Sequence, residues 1–204
     1  QKERPGFFIA AFIAFVLALL SRENMIILPA LFVAYNYSFK KKAGLKLIAA
    51  LTITAVSHTL LWLIPAKSLL SDFNIAFRTT LVQRLPGFLV AITDYCRLLL
   101  LPAHSRMEYG DKIFRFADPA ALFGAIILIL LLYAAFKLRS SDPLATFAIG
   151  WFLVALLPVS NIYPVGAYMA EQWLYLPSIG FFMGAGILLR ALCVNRYFGV
   201  VVAI

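Results

Sequence analysis

Apolar residues in this chain come in long blocks broken by short polar clusters, with neither the period of a soluble amphipathic helix nor that of a half-buried strand. Leu45–Pro65, Pro119–Phe136, Leu144–Pro158 and Leu174–Leu192 approach or reach the roughly 20 residues that a membrane-spanning helix needs. Two shorter apolar arms, Phe7–Leu20 and Asn24–Tyr37, flank the polar triplet Ser21-Arg22-Glu23. Each arm is about 21 Å long at 1.5 Å per residue, so the turn between them can lie below the membrane surface in a cavity. No ten-residue alternation of the barrel type occurs. Helices are the expected spanning element, because in hydrocarbon each backbone amide must bond within its own segment.

Composition agrees with the pattern. Hydrophobic residues make up 63% and charged residues 13% of the 204, and mean hydropathy is +0.92, where a soluble domain carries about 25% charged residues. Net charge is +9. In a soluble protein that would suggest nucleic acid, but here it is accounted for by topology, and nucleic acid is not an expected partner. Short loops rich in Lys and Arg stay cytoplasmic, and the basic clusters are Lys2 with Arg4, Lys40 to Lys42 with Lys46, Lys137 with Arg139, and Arg190 with Arg196.

Placing all four inside predicts an all-α polytopic membrane protein with about six spans plus an interfacial or re-entrant helix, and the start of a seventh span at Tyr197–Ile204. Residues 1–204 read as a single membrane domain with external regions at 66–118 and 159–173. Leu85–Leu101 cannot be a simple pass, since both of its flanks must be external, and it carries Asp94 and Arg97, which are costly at the bilayer centre. It is read as interfacial or re-entrant, paired with the amphipathic Leu69–Leu81. Trp62 is expected in an outer aromatic belt. Cys96 and Cys193 fall on opposite sides and are not expected to pair. Glu3 and Asp142 fall inside, which leaves Glu23, Asp72, Asp94, Glu108, Asp111, Asp118 and Glu171 on the external face.

Three external clusters have the residue types for chemistry. Arg22 and Glu23 interrupt an otherwise apolar run, and a charge at membrane depth marks a functional site by default. His104, Arg106 and Glu108 follow the apolar Leu98–Leu101 and offer an imidazole, a guanidinium able to hold phosphate bidentately, and a carboxylate. Glu171 stands as a lone acid among prolines and aromatics in Leu156–Gly180, with Asn161 nearby. Prolines there suggest a rigid, folded-back loop at membrane depth, either buried in protein or lining a cavity. His58 is read as bonding a neighbouring helix. No His/Cys/carboxylate spacing resembles a zinc site, and no phosphate-cradling glycine loop occurs.

SRENMIILPALFVAYN at Ser21–Asn36, YCRLLLLPAHSRMEYG at Tyr95–Gly110 and PVSNIYPVGAYMAEQWLYLPSIGFF at Pro158–Phe182 resemble segments of the transmembrane and tetratricopeptide-repeat O-mannosyltransferases and their bacterial relatives, members of the GT-C class of glycosyltransferases. The resemblance spans most of the chain, and the last segment is the most specific. It departs at Gln172, where a basic residue often follows the acid. It implies a GT-C-like helical bundle, corresponding to the C-terminal part of the membrane domain. Both ends read as cuts, with the principal catalytic acid expected in an N-terminal external loop upstream of Gln1 and helical repeats expected downstream.

The implied reaction takes a sugar from a polyprenyl-phosphate carrier to an acceptor hydroxyl, on protein or glycan, at the non-cytoplasmic face. Arg22 and Arg106 are then candidates for the donor phosphate, with His104 and Asn161 as further substrate-binding residues. Glu23, Glu108 and Glu171 are supporting acids. No cofactor is required by the pattern, and a divalent metal stays open. The membrane is expected to be a bacterial inner membrane, with the endoplasmic reticulum as the alternative. Two rival readings are a transporter or lipid-linked glycan flippase, which would use broken helices near the midplane, and a membrane scaffold whose outer loops dock a partner.

Overall fold

Residues 5–42, 44–70, 79–103, 106–110, 112–162 and 167–194 are described by the computed structural model, with the backbone path alone for 5, 23, 62–70 and 194. The elements are α1 (Pro5–Ser21), a 3-10 turn (Glu23–Ile27), α2 (Leu28–Ser38), α3 (Leu45–Leu70), α4 (Leu81–Leu100), α5 (Pro119–Leu138), α6 (Pro143–Leu156), 3-10 turns at Leu157–Val159 and Glu171–Leu174, and α7 (Tyr175–Val194). Among the described residues the one extended pairing is an isolated antiparallel bridge between Glu108 and Ala170. The all-α expectation therefore holds.

The count of six spans does not. Among the described residues two helices, Pro119–Leu138 and Glu171–Cys193, are long and apolar enough to cross a membrane. Gly6–Ser21 and Pro143–Val159 are apolar but shorter, α3 is apolar over Leu45–Leu61, the part of it whose side chains are described, and the 11 residues of α2 reach only about 17 Å at 1.5 Å per residue, against a hydrocarbon core of about 30 Å. Polar punctuation cuts these arms: the Arg22 turn divides the first apolar run, and Pro158 closes the run of α6. In both candidate spans only 11% of the apolar window is buried, unlike the core helix of a soluble protein. Leu130, Tyr133 and Phe136 on α5 are exposed, as are Phe182 and Leu188 on α7.

Of Leu85–Leu101, all but the extended cap Leu101 falls within α4, which is not among the candidate spans. A reciprocal capping box of Thr80 with Gln83 starts this helix. Most of Leu69–Leu81 and the seventh apolar run lie outside the described residues, as does the side chain of Trp62.

α6 is the central helix, packed against α2, α5 and α7. Its pairing with α7 is close because a Cβ on Gly180 would lie 2.6 Å from the carbonyl oxygen of Ala148 and from the amide nitrogen of Phe152. Gly184, one turn on, faces the Ala148 side chain, which makes a small-xxx-small contact of the kind that lets helix backbones approach in lipid. α4 and α5 pack antiparallel in the same manner. A Cβ on Gly124 would fall 1.9 Å from the Leu89 carbonyl oxygen, and the Thr93 hydroxyl donates to the carbonyl of Ala120 at 2.8 Å.

The main core gathers Ala91, Ile92 and Tyr95 of α4 with Ala121 of α5, Phe152 and Leu156 of α6, and Tyr168 and Met169 of the following loop. It lies at the end of the bundle where α4 finishes and α5 begins, beneath the connecting loops.

Candidate functional site

Two loops meet over this core. The first, after α4, runs from Leu101 to Asp118; the second joins α6 to α7. Their backbones pair through the Tyr109 amide, which donates to the Met169 carbonyl at 3.2 Å, and the Tyr168 amide, which donates to the Gly110 carbonyl at 3.2 Å. One carboxylate oxygen of Glu171 fastens the pair. It accepts from the backbone amide of Arg106 and from the Tyr109 hydroxyl at 2.9 Å. Below them the buried Tyr95 donates its hydroxyl to the Ala170 carbonyl at 3.3 Å, and the Ala170 amide donates back to that hydroxyl at 3.4 Å. Helix α4 thus anchors the loop that carries Glu171.

Between the loops and the last turns of α4 lies a cavity of about 330 Å³, whose lining includes Asp94, Arg97, Arg106, Tyr109, Lys112 and Tyr168. Asp94 and Arg97, three residues apart on a helix, share one face. The Tyr168 hydroxyl donates to Asp94 Oδ2 at 3.4 Å, and the Lys112 ammonium sits 5.8 Å above the Tyr168 ring. Burial pushes the Asp94 carboxyl above its ordinary range, against the opposing effects of the Tyr168 hydrogen bond and of Arg97 and Lys112. Tyr168 is pushed up to about 12, chiefly by burial and then by the Asp94 charge. Tyr109 is also raised, by burial first and then by its bond to Glu171. Both phenols therefore stay protonated at neutral pH and act as hydrogen-bond donors.

No family model, characterised protein or solved structure matches this chain. What the site does is therefore argued from its geometry and from the resemblance of its segments.

Of the residues singled out in the sequence, Arg106 and Glu171 come together, Arg106 in the cavity wall and Glu171 as the clasp behind it. Glu108 contributes the backbone of the Ala170 bridge, and its exposed side chain is outside the cavity lining. Asn161 is buried at a φ of +58° and donates its side-chain amide to the Ala167 carbonyl at 3.2 Å. Arg22 is exposed and lines no part of this cavity. Its extended backbone starts the 3-10 turn that packs on Leu157–Val159, at the same end of the bundle. The side chain of Glu23 and all of His104 lie outside the described residues.

Asp94, Arg97, Lys112, Tyr109 and Tyr168 were not among the sequence candidates for the site. The charges on the outer half of α4 were the legible signal. The two tyrosines had none, because only the pairing of distant loops turns them into the cavity. Among the described residues no group of three His, Cys, Asp or Glu side chains could hold a metal ion.

Proposed function

We propose that this protein is an integral membrane glycosyltransferase of GT-C architecture, which moves a sugar from a polyprenyl-phosphate donor to an acceptor hydroxyl on the non-cytoplasmic face of a bacterial inner membrane. One observation carries the reading: the second and third resembling segments are clasped together by Glu171 around a cavity bearing three cations and one carboxylate. In transfer, the bond from the anomeric carbon to the phosphate oxygen breaks, a bond to the acceptor oxygen forms, and the acceptor proton passes to a base. Arg97, Arg106 and Lys112 supply fixed positive charge where the lipid phosphate departs. Asp94, set among them and held by Tyr168, is suited to orient a sugar or acceptor hydroxyl. Glu171 is a positioning residue that aims the Arg106 loop.

The test uses membranes carrying the protein from its complete reading frame and a radiolabelled polyprenyl-phosphate sugar. Arg106→Ala is expected to lower transfer by about 100-fold with insertion unchanged. Full activity in an Arg97→Ala/Arg106→Ala double variant would refute the role of this cavity. Movement of the lipid-linked sugar across proteoliposomes without covalent transfer would replace the reading with that of a flippase.

A further inference from the structure

A second feature, running along α2 toward the other end of the bundle, is independent of this chemistry. Helices α2 and α6 leave between them an apolar groove of about 280 Å³ lined by Leu28, Leu31, Phe32, Tyr35, Phe147 and Trp151. From Leu28 to Tyr35 it extends about 10 Å along α2 at 1.5 Å per residue. Its Tyr35 end is basic. The Tyr35 hydroxyl accepts from the Lys41 ammonium at 3.0 Å, and that ammonium lies 5.4 Å from the ring centre. Two residues further along α2, and round the helix from Tyr35, the Arg139 guanidinium stacks 3.8 Å above the Tyr37 ring and donates to the Tyr37 carbonyl at 3.4 Å. Exposed Lys40 and Lys42 flank the same loop. The acid nearest in sequence to Arg139 is Asp142, and its carboxylate is engaged in capping α6 through the Ala145 amide at 2.9 Å.

We propose that this groove is a binding site for one anionic phospholipid, with an acyl chain against Phe32, Phe147 and Trp151 and the phosphate headgroup between Lys41 and Arg139. Charge complementarity selects the occupant: an apolar slot that opens onto cations, with Asp142 engaged as a helix cap, fits a lipid tail joined to an anionic head, and basic pockets between helices hold such heads. Tyr35 links the two halves, with its ring in the groove wall and its hydroxyl on Lys41. The site rests on the reading of these helices as membrane-embedded and does not depend on sugar transfer.

Trp151 provides the readout. In a variant of the full protein with Trp62, Trp173 and any tryptophan outside residues 1–204 replaced by Phe, Trp151 is the fluorophore left, and the variant is reconstituted in bilayers where phosphatidylglycerol or phosphatidylcholine with bromine-labelled chains is titrated at fixed total lipid. Half-maximal quenching is expected at a mole fraction of the glycerol lipid at least about tenfold lower than of the choline lipid, since each nearby cation is worth about 1 kcal/mol toward an anionic surface. Lys41→Gln/Arg139→Gln should erase the difference while quenching by the choline lipid persists. Equal quenching by the two lipids in the parent, or an undiminished preference in the double variant, would overturn the site. Absence of quenching by either lipid would overturn both the site and the membrane reading.

Discussion

A single oxygen of Glu171 takes two hydrogen bonds from residues more than sixty positions earlier in the chain. Replacing Glu171 with Ala leaves the Arg106 amide and the Tyr109 hydroxyl without their acceptor, and bonds to a charged group contribute about 1.5–3 kcal/mol each. Exposure of Arg106 discounts that figure toward its lower end. The expected result is a chain that inserts normally, loses protection of the Tyr109 loop in hydrogen exchange and loses most activity. Glu171→Gln, which can still accept, should retain more of both than Glu171→Ala.

Asp94 gives a pH signature. Its pKa is raised by burial, so the neutral form is favoured by folding. That contribution to stability is fully present below the ordinary carboxylate pKa and is lost as pH rises through the raised one. The same titration adds a negative charge to the cavity. A phosphodiester, whose own charge is constant, should therefore bind more tightly as pH falls through the raised Asp94 pKa, and Asp94→Asn should flatten the profile measured by calorimetry.

Residues of this kind were only partly legible beforehand. Glu171 stood out because it is a lone acid between prolines. Tyr168 did not, because nothing local distinguishes it from the other aromatics of its segment.

At the scale of elements, α4/α5 and α6/α7 each depend on a glycine at the point of closest approach. Gly124→Ala would drive a methyl into the Leu89 carbonyl, and Gly180→Ala into the backbone of Ala148 and Phe152. Backbone cannot yield as a side-chain tip does, so each should cost about 1–3 kcal/mol, read as a lower midpoint of thermal or chemical unfolding in bicelles. Gly186→Ala has open space, and it should be neutral or stabilising by up to about 1 kcal/mol through helix propensity.

Helix existence was readable from apolar run length, and the predicted runs are helical over most of their described length, with 3-10 turns at Asn24–Ile27 and Leu157–Pro158 and no helix at Thr79, Thr80 and Leu101. Span number was not. Run length measures how apolar a segment is, whereas crossing requires the rise of one uninterrupted helix, and the arms flanking Arg22 fall short of that.

Across the whole molecule, charge is sorted by end. Lys40 and Lys41 follow the end of α2, where Arg139 of the α5–α6 junction stacks on Tyr37, and Asp94, Arg97, Arg106, Lys112 and Glu171 gather where α4 hands over to α5 and α6 to α7. With the Lys-rich end cytoplasmic, a cysteine at Met107, which is 78% exposed, should react with an impermeant maleimide added outside intact cells. Native Cys193, exposed near the end of α7, should react only after permeabilisation. The reverse labelling pattern would invert the topology and place the cavity in the cytoplasm.

The clasp across the two loops also sets an order of events during synthesis. Arg106 emerges 65 residues ahead of the acid that aligns it, an interval of about 3–13 s at translation rates of 5–20 residues per second. Through that interval the cations of the first loop are already made while the second loop is still to come. On the proposed function, a nascent chain would meet its donor before it could hold it in register, and the closing of the cavity waits for the arrival of a single late residue.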